Sequence, residues 1–188
     1  MATVASKLGH KSYLLTSLGK DGFGDFLKKT LEKEKVDTKY VSQKAETFTP
    51  LAFVSRDEDG DRDRSFSFYF KNSSALNISE DDIEKVDLDE IDVIHFASIA
   101  IQGTSKNSHK LLIEKAKKKG ILISFDVNLR FNLWENKQEY YETIRDFLQY
   151  ADILKISDNE LEFVTQQQKL ELFLAIWQKK IIKNSFIL

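Results

Sequence analysis

The run ILISF at Ile121–Phe125 limits how this chain can fold more than any other stretch, because it is apolar apart from Ser124. A continuous apolar run of this kind is typical of a strand in a sheet that helices cover on both faces. Asp126 ends the run, and Asn128 and Arg130 follow at every second position. Ligands of open α/β sheets bind beyond the carboxyl ends of the strands. We therefore expect a buried strand with a polar site at its end.

Strands and helices alternate along the second half of the chain. The predicted elements are, in order, a strand over 91–97, a helix over 105–119, a strand over 121–126, a helix over 138–150, a strand over 151–156, helices over 158–164 and 166–178, and a last strand over 180–188. Strands that alternate with helices through short loops form a mostly parallel sheet. At 188 residues the chain is long enough for one sizeable core. The predicted fold class is therefore α/β.

The first part of the chain contains a glycine-rich turn, Gly19–Phe26. The predicted elements around it are a helix over 1–8, a strand over 12–18, a helix from this turn to about Lys35, and a short strand over 38–42. The sequence GKDGFGD does not match the G-x-x-x-x-G-K-[ST] pattern of a phosphate-binding loop. A tight turn into a helix is the favoured interpretation.

The segment from about residue 44 to 72 has the pattern of an antiparallel hairpin. Phe66, Phe68 and Phe70 occupy alternate positions, which is the period of a strand with one buried face. Asp59-Gly60 lies near the centre of the intervening turn. Three interpretations fit such a hairpin: a lid that excludes water from a reaction, an ordinary exposed hairpin, or a sheet edge that pairs with another subunit. The lid and subunit-contact interpretations are compatible.

The composition excludes several classes of protein. The formal net charge of -2, from 28 basic and 30 acidic residues, gives no reason to expect nucleic acid or a membrane surface as a partner. The chain has no cysteine, which excludes disulfides and thiolate metal sites. No apolar run approaches the roughly 18 residues of a membrane helix. A cytosolic location is the resulting expectation.

Asp126, Asn128 and Arg130 form the first candidate site. The planar guanidinium of Arg130 suits the paired oxygen atoms of a ligand, and the amide of Asn128 both donates and accepts hydrogen bonds. The alternative is a simple strand-to-loop exit, in which Asp and Asn are common. The position at the carboxyl end of a strand favours a polar-substrate or phosphate site.

Lys155 and the helix that follows it form the second candidate site. Lys155 lies within the apolar strand ADILKI, where a charge is costly unless it is paired. Asn159 and Glu162 are three residues apart on one helix face, and their oxygen atoms suit a hydrated Mg²⁺. Without other support, these residues are better explained as a helix start with a solvated glutamate.

Four motifs occur in an order that matches one known family: ATVASKLGHKSYLLTSLGKDGFGD near the start, RSFSFYFKNSSA in the hairpin, DVNLRFNLW after the central strand, and LKISDNELEFVT further on. On these motifs the chain resembles the ribokinase-like (PfkB-type) sugar kinases, and among them the fructokinases most closely. The resemblance implies an incomplete three-layer α/β/α sandwich with a small antiparallel β lid at about 44–72, in a single domain over 1–188. It implies transfer of the γ-phosphoryl group of ATP to a sugar hydroxyl, with Mg²⁺ as the metal.

The resemblance also implies roles on the sugar side. Asp126, Asn128 and Arg130 line the sugar, and Lys71 of the lid takes the place of an arginine that the family commonly has there. Fructose is the expected substrate. A homodimer through the lid is the expected assembly.

On the phosphate side, the resemblance implies that Lys155 lies near the transferred phosphate. Asn159 and Glu162 are expected to hold Mg²⁺ and its waters.

Two parts of the family pattern do not occur in these 188 residues. One is an early strand with a substrate-binding Asp followed by Gly-Gly-x-x-x-Asn, and the other is the downstream D-T-x-G-A-G-D motif that supplies the catalytic Asp. Phosphoryl transfer uses a base that takes the hydroxyl proton. The sequence therefore predicts a truncated kinase that lacks the catalytic base and much of the ATP site and has little or no activity by itself. The alternative is a non-catalytic protein that binds sugar or pairs with a kinase subunit.

Overall fold

The structure is a computed structural model that describes residues 1–56, 64–165 and 186–187. The chain divides into two compact units, Met1–Lys85 and Val86–Leu188. The predicted helix over 166–178, the turn at Asp59-Gly60, and most of the strand over 180–188 lie outside the described residues. None of the described helices is long and apolar enough to cross a membrane.

Among its described residues, the first unit contains a parallel strand pair, an antiparallel strand pair and three helices. In chain order the elements are α1 (Ala2–Lys7), β1 (Thr16–Gly19), α2 (Gly22–Lys33), β2 (Val41–Lys44), β3 (Leu51–Arg56), β4 (Arg64–Tyr69), a 3-10 turn (Ser74–Leu76) and α3 (Glu80–Glu84). β1 pairs in parallel with β2, and β3 pairs antiparallel with β4. The sequence located all of these elements except the 3-10 turn and α3.

The strands of the parallel pair begin later than predicted, at Thr16 rather than residue 12 and at Val41 rather than residue 38. Ahead of them the two segments make a single parallel bridge, between Tyr13 and Asp37. Asp37 starts a turn, because its carboxylate accepts a hydrogen bond from the Lys39 N–H at 2.9 Å. A longer ladder would require this segment to stay extended.

The glycine-rich turn opens α2, as predicted. Asp21 is the N-cap residue, and its carboxylate accepts hydrogen bonds at 2.8 Å from the Gly24 N–H and from the N–H and hydroxyl of Thr49. The Thr49 hydroxyl oxygen accepts one from the Gly19 N–H at 3.0 Å. The backbone hydrogen bonds from Thr49 and Gly24 lower the pKa of Asp21. The polar side chains of Asp21 and Thr49 therefore stabilise the conformation of the turn.

β3 and β4 form the predicted hairpin, with a continuous antiparallel register. Phe68 and Phe70 are half-buried, whereas Ser67 and Tyr69 are exposed, which confirms the period of two over these residues. Phe53 meets Tyr69 edge-on, with ring centroids 5.6 Å apart. Phe53 and Tyr69 are nevertheless 57% and 60% exposed, so the hairpin presents apolar surface to solvent.

Among its described residues, the second unit contains four strands and three α-helices. They are β5 (Val93–Ala97), α4 (Ser105–Lys118), β6 (Leu122–Asp126), α5 (Lys137–Leu148), β7 (Ile153–Lys155), α6 (Asp158–Thr165) and β8 (Phe186–Ile187), with 3-10 turns at Leu88–Glu90, Ser98–Ala100 and Phe131–Leu133. The strands form one parallel sheet in the order β5-β6-β7-β8. The predicted α/β architecture with a parallel sheet is confirmed.

Among the described helices of the second unit, α4 and α5 cover one face of its sheet. On that face Phe96 of β5 stacks on Phe125 of β6 at 4.7 Å and meets Phe147 of α5 edge-on at 5.9 Å. On the opposite face Leu122 is 45% exposed to solvent among the described residues, so the run Ile121–Phe125 is buried mainly on the face that α4 and α5 cover. Right-handed crossovers between strands in chain order place these two helices on the same face.

Gly24→Ala is expected to destabilise the chain, because a Cβ at this position would clash with the backbone oxygen of Gly19. Overpacking of this kind typically costs about 1–3 kcal/mol. Gly22→Ala is the matched control, since its Cβ meets nothing within 4 Å. In thermal unfolding followed by circular dichroism, G24A should melt well below the unmodified chain and G22A close to it. Equal melting temperatures for the two variants would contradict this account of the turn.

Candidate active site

Two neighbouring strands end on charged residues that form an ion pair. Asp126, the last residue of β6, lies opposite Lys155, the last residue of β7, in the parallel register. Lys155 Nζ donates a hydrogen bond to Asp126 Oδ2 at 2.8 Å. This hydrogen bond, and then the negative charge of Asp126, raise the pKa of Lys155. Lys155 is therefore paired with Asp126, but its side chain is largely exposed, so burial in the strand does not require this pairing.

The ion pair uses only part of the Asp126 carboxylate. The side chain of Asp126 is 17% exposed, whereas that of Lys155 is 62% exposed. Asp126 Oδ1 is buried and accepts no hydrogen bond from the part of the chain that the structure describes. Buried polar atoms nearly always have a partner, so this oxygen is a candidate acceptor for a ligand hydroxyl.

The chain leaves β6 through residues 127–130, here called the exit loop, which contains Asn128 and Arg130. Asn128 has a φ of +38°, in the left-handed region that asparagine tolerates better than most residues. The Ser98 hydroxyl donates to the Asn128 carbonyl oxygen at 3.1 Å. The backbone therefore stops being extended at Asn128, directly beyond the strand end.

Arg130 is half-buried and is held through both its backbone and its side chain. Its N–H donates to the Tyr140 hydroxyl at 2.9 Å, and its Nη1 donates to the Leu129 carbonyl oxygen at 2.9 Å. A guanidinium carries five N–H donors, so one such bond leaves Arg130 with the capacity to bind an oxygen-rich ligand.

Glu160, which the sequence analysis did not select, connects α6 to the exit loop. Its Oε1 accepts the Leu129 N–H and its Oε2 accepts the Ser157 N–H, each at 2.8 Å. Ser157 and Glu160 form the S-x-x-E pattern of a helix capping box, so the sequence did contain a signal for this residue. Asn159 and Glu162, the predicted metal ligands, are exposed on the same helix, and their role stays a prediction.

Tyr140 and Ser98 are two further residues that the sequence analysis missed. Both are fully buried, and the Tyr140 hydroxyl lies 2.9 Å from Ser98 Oγ. Burial raises the pKa of Tyr140. Tyr140 occupies the buried face of an amphipathic helix, where the sequence pattern gives no means to distinguish it from an ordinary core aromatic residue.

Lys71, the predicted lid contact, belongs to the first unit. It is exposed and follows β4, and the next residue, Asn72, has a φ of +61°. The exit loop belongs to the second unit. Since Lys71 and the exit loop belong to different units, the sugar-binding role of Lys71 stays a prediction.

The chain belongs to the pfkB family of carbohydrate kinases, because the model of that family matches residues 1–187. It is 32% identical to probable fructokinase-5 of Arabidopsis thaliana over 184 residues, which are 96% of this chain and 56% of that protein. It is 34% identical to probable fructokinase-3 of the same species over 172 residues, which are 91% of this chain and 49% of that protein. The chain thus spans about half the length of the curated relatives it matches.

Solved structures of sugar kinases have the same fold. Fructokinase from Vibrio cholerae O395, in a form with fructose, ADP and calcium ion bound, matches with a TM-score of 0.82 and 31% identity, covering 95% of this chain and 57% of that chain. Fructokinase from Xylella fastidiosa matches with a TM-score of 0.85 and 26% identity, covering 94% of this chain and 55% of that chain. These similarities confirm the predicted ribokinase-like α/β fold.

Glu160→Gln is expected to destabilise the chain, whereas Glu162→Gln is not. Both Glu160 oxygens accept a backbone N–H, and the first change replaces one of them with an NH2 group that can only donate. Hydrogen bonds to a charged group contribute about 1.5–3 kcal/mol. The second removes an exposed charge two residues away, which typically changes stability by less than about 0.5 kcal/mol. Urea unfolding of both variants at neutral pH measures the difference. Equal midpoints would contradict the assignment of Glu160 as the helix residue that holds the exit loop.

Proposed function

We propose that this chain is part of a cytosolic, ATP-dependent sugar kinase that transfers the γ-phosphoryl group of ATP to a sugar hydroxyl, with fructose as the sugar. The observation that carries the proposal is the strand-end ion pair, Asp126 with Lys155, beside an exit loop that presents Asn128 and Arg130. Family membership supports it. So does the similar Vibrio cholerae fructokinase, which was solved with fructose and ADP bound.

On the sugar side, Asp126 Oδ1 is the proposed acceptor for one sugar hydroxyl, because it is buried and accepts nothing from the described residues. Asn128 adds an amide that donates and accepts, and Arg130 adds a planar set of donors. Lys71 of the lid is proposed to complete the sugar contacts as a point charge.

On the phosphate side, Lys155 is proposed to contact the transferred phosphoryl group. Its exposed amine makes one hydrogen bond that the structure records, to Asp126, and an ammonium group carries three donors. A phosphate oxygen can therefore bind while the ion pair is kept.

The proposed metal is Mg²⁺, held with the phosphates of ATP. Asn159 and Glu162 are exposed on α6, which begins three residues after Lys155, and they offer an amide oxygen and a carboxylate. This donor chemistry fits Mg²⁺, which usually keeps several waters and takes one or two carboxylates together with substrate phosphates. The metal would neutralise charge that develops on the phosphates. Glu160 is less suited, since both of its oxygens already accept backbone hydrogen bonds.

Calorimetric titration of the full chain with fructose tests the sugar site. Arg130→Met should weaken fructose binding about tenfold or more, because a lost charge-assisted hydrogen bond contributes about 1.5–3 kcal/mol. Arg145→Met is the matched control, since Arg145 lies in α5 and its guanidinium contacts the Tyr141 hydroxyl. The control should bind fructose as the unmodified chain does.

Two results would contradict the sugar site: no fructose binding by the unmodified chain, or equal losses in both variants. ADP formation in the presence of ATP and Mg²⁺ is measured in parallel. Fructose binding without ADP formation would favour the alternative of a non-catalytic sugar-binding protein for this chain.

We also propose a homodimer that forms through the lid hairpin. The exposed apolar surface of the hairpin, with Phe53 at 57% and Tyr69 at 60%, supports this assembly. Sedimentation equilibrium over a range of concentrations should show a dimer that Phe53→Ser weakens. Phe23→Ser, on α2, is the control because Phe23 is 55% exposed. A monomer at all concentrations, or an equal effect of both substitutions, would contradict the lid dimer.

A further inference from the structure

The backbone conformation of the exit loop depends on hydrogen bonds with side chains of other elements. It belongs to neither a helix nor a strand, and Asn128 within it has a φ of +38°. A non-glycine residue in the left-handed region is strained and persists only where its surroundings determine it. The positions of the Asn128 and Arg130 side chains depend on this backbone conformation.

Tyr140 and Ser98 hold the loop through a directed chain of hydrogen bonds. The Arg130 N–H donates to the Tyr140 hydroxyl oxygen at 2.9 Å, and Ser98 Oγ donates to the Asn128 carbonyl oxygen at 3.1 Å. The two hydroxyl oxygens are 2.9 Å apart. Since the Ser98 hydrogen goes to Asn128, the Tyr140 hydroxyl donates to Ser98. The chain therefore runs from the Arg130 N–H through both hydroxyls to the Asn128 carbonyl oxygen.

The position of the Tyr140 hydroxyl is itself fixed by packing. The Tyr140 ring is fully buried and stacks on the Trp134 ring, with centroids 4.4 Å apart and planes within 13°. Phe131 and Phe163 contact the same ring at 5.8 and 5.7 Å. Trp134 Nε1 donates to Gln102 at 2.7 Å when the Gln102 amide is oriented to accept it. A hydroxyl on such a rigid ring is a precise anchor for the loop.

The remaining backbone N–H of the loop centre is held from the other side. The Leu129 N–H donates to Glu160 Oε1 at 2.8 Å. Asn128, Leu129 and Arg130 are thus each bonded to a side chain from a different part of the second unit.

We infer that Tyr140 is a positioning residue of the sugar site, acting through Ser98 and the Arg130 backbone to set the direction of the Asn128 and Arg130 side chains. This inference rests on the proposed function for its ligand. It adds that a buried hydroxyl without ligand contact controls sugar affinity.

Tyr140→Phe tests the inference, because it removes one oxygen and keeps the ring. Tyr141→Phe is the matched control: Tyr141 is the next residue of α5, is also buried, and its hydroxyl accepts from Arg145 rather than from the exit loop. In Y140F, hydrogen exchange at the Arg130 amide should accelerate about tenfold, the equivalent of one lost hydrogen bond. Fructose affinity should fall about fivefold or more. Y141F should change neither quantity.

A combined variant separates positioning from general destabilisation. If Tyr140 acts in part through Arg130, Y140F should reduce fructose affinity by a smaller factor in the R130M background than in the unmodified chain, since coupled residues are not additive. The remaining loss is the part that acts through Asn128. A purely structural role would give the same loss with and without R130M. Should Y140F fail to fold, Ser98→Ala tests the same hydrogen-bond chain from its other end. It removes the hydrogen bond to the Asn128 carbonyl oxygen and should lower fructose affinity about fivefold or more, while the Arg130 N–H keeps its acceptor.

The outcomes separate this inference from the proposed function. Unchanged exchange at the Arg130 amide in Y140F overturns the inference, whether or not the chain binds fructose. Faster exchange with unchanged fructose affinity overturns the positioning role and leaves the sugar site intact. If the unmodified chain does not bind fructose, the proposed function fails and the role in sugar affinity fails with it, while the exchange result still decides whether Tyr140 holds the loop.

Discussion

The pairing of β6 with β7 is the interaction on which the candidate site depends. Its register sets Asp126 opposite Lys155, so that two opposite charges meet at the carboxyl edge of the sheet. The Val127 N–H extends this pairing by one hydrogen bond, to the Lys155 carbonyl oxygen at 3.0 Å. A slip of one residue in β7 would turn Lys155 to the face that the helices cover. Its charge would then be buried without Asp126, which disfavours the slipped register.

Beyond Val127 the chain leaves the sheet. Side chains from three other segments of the second unit then form hydrogen bonds with its backbone. Ser98 directly follows β5, Tyr140 lies in the first turns of α5, and Glu160 lies in the first turn of α6. In a parallel α/β unit each strand ends, and each following segment begins, at the same edge of the sheet. Side chains near those beginnings can therefore reach the exit loop. The geometry of the site is a consequence of the topology.

The parts of this arrangement that follow from local pattern were predictable from sequence. Periodicity indicated the hairpin and the described strands and helices of the second unit. The pairing of Lys155 was expected from the cost of a buried charge, but the Lys155 side chain is largely exposed. Glu160 also carried a local signal, since Ser157-x-x-Glu160 is a capping pattern. The three-residue spacing of two oxygen-bearing side chains indicated Asn159 and Glu162 instead.

Other features depend on tertiary structure and left no local signal. The exposure of Leu122 depends on which face of the sheet α4 and α5 cover, and that follows from the order of the strands. The contact of Tyr140 with the Arg130 N–H joins residues from a helix and a loop. Neither can be read from an apolar pattern alone.

A crystal structure of this chain with fructose tests the central claim most directly. The account predicts a sugar hydroxyl within hydrogen-bonding distance of Asp126 Oδ1, with Asn128 and Arg130 also in contact; fructose bound elsewhere, without these residues, would contradict it.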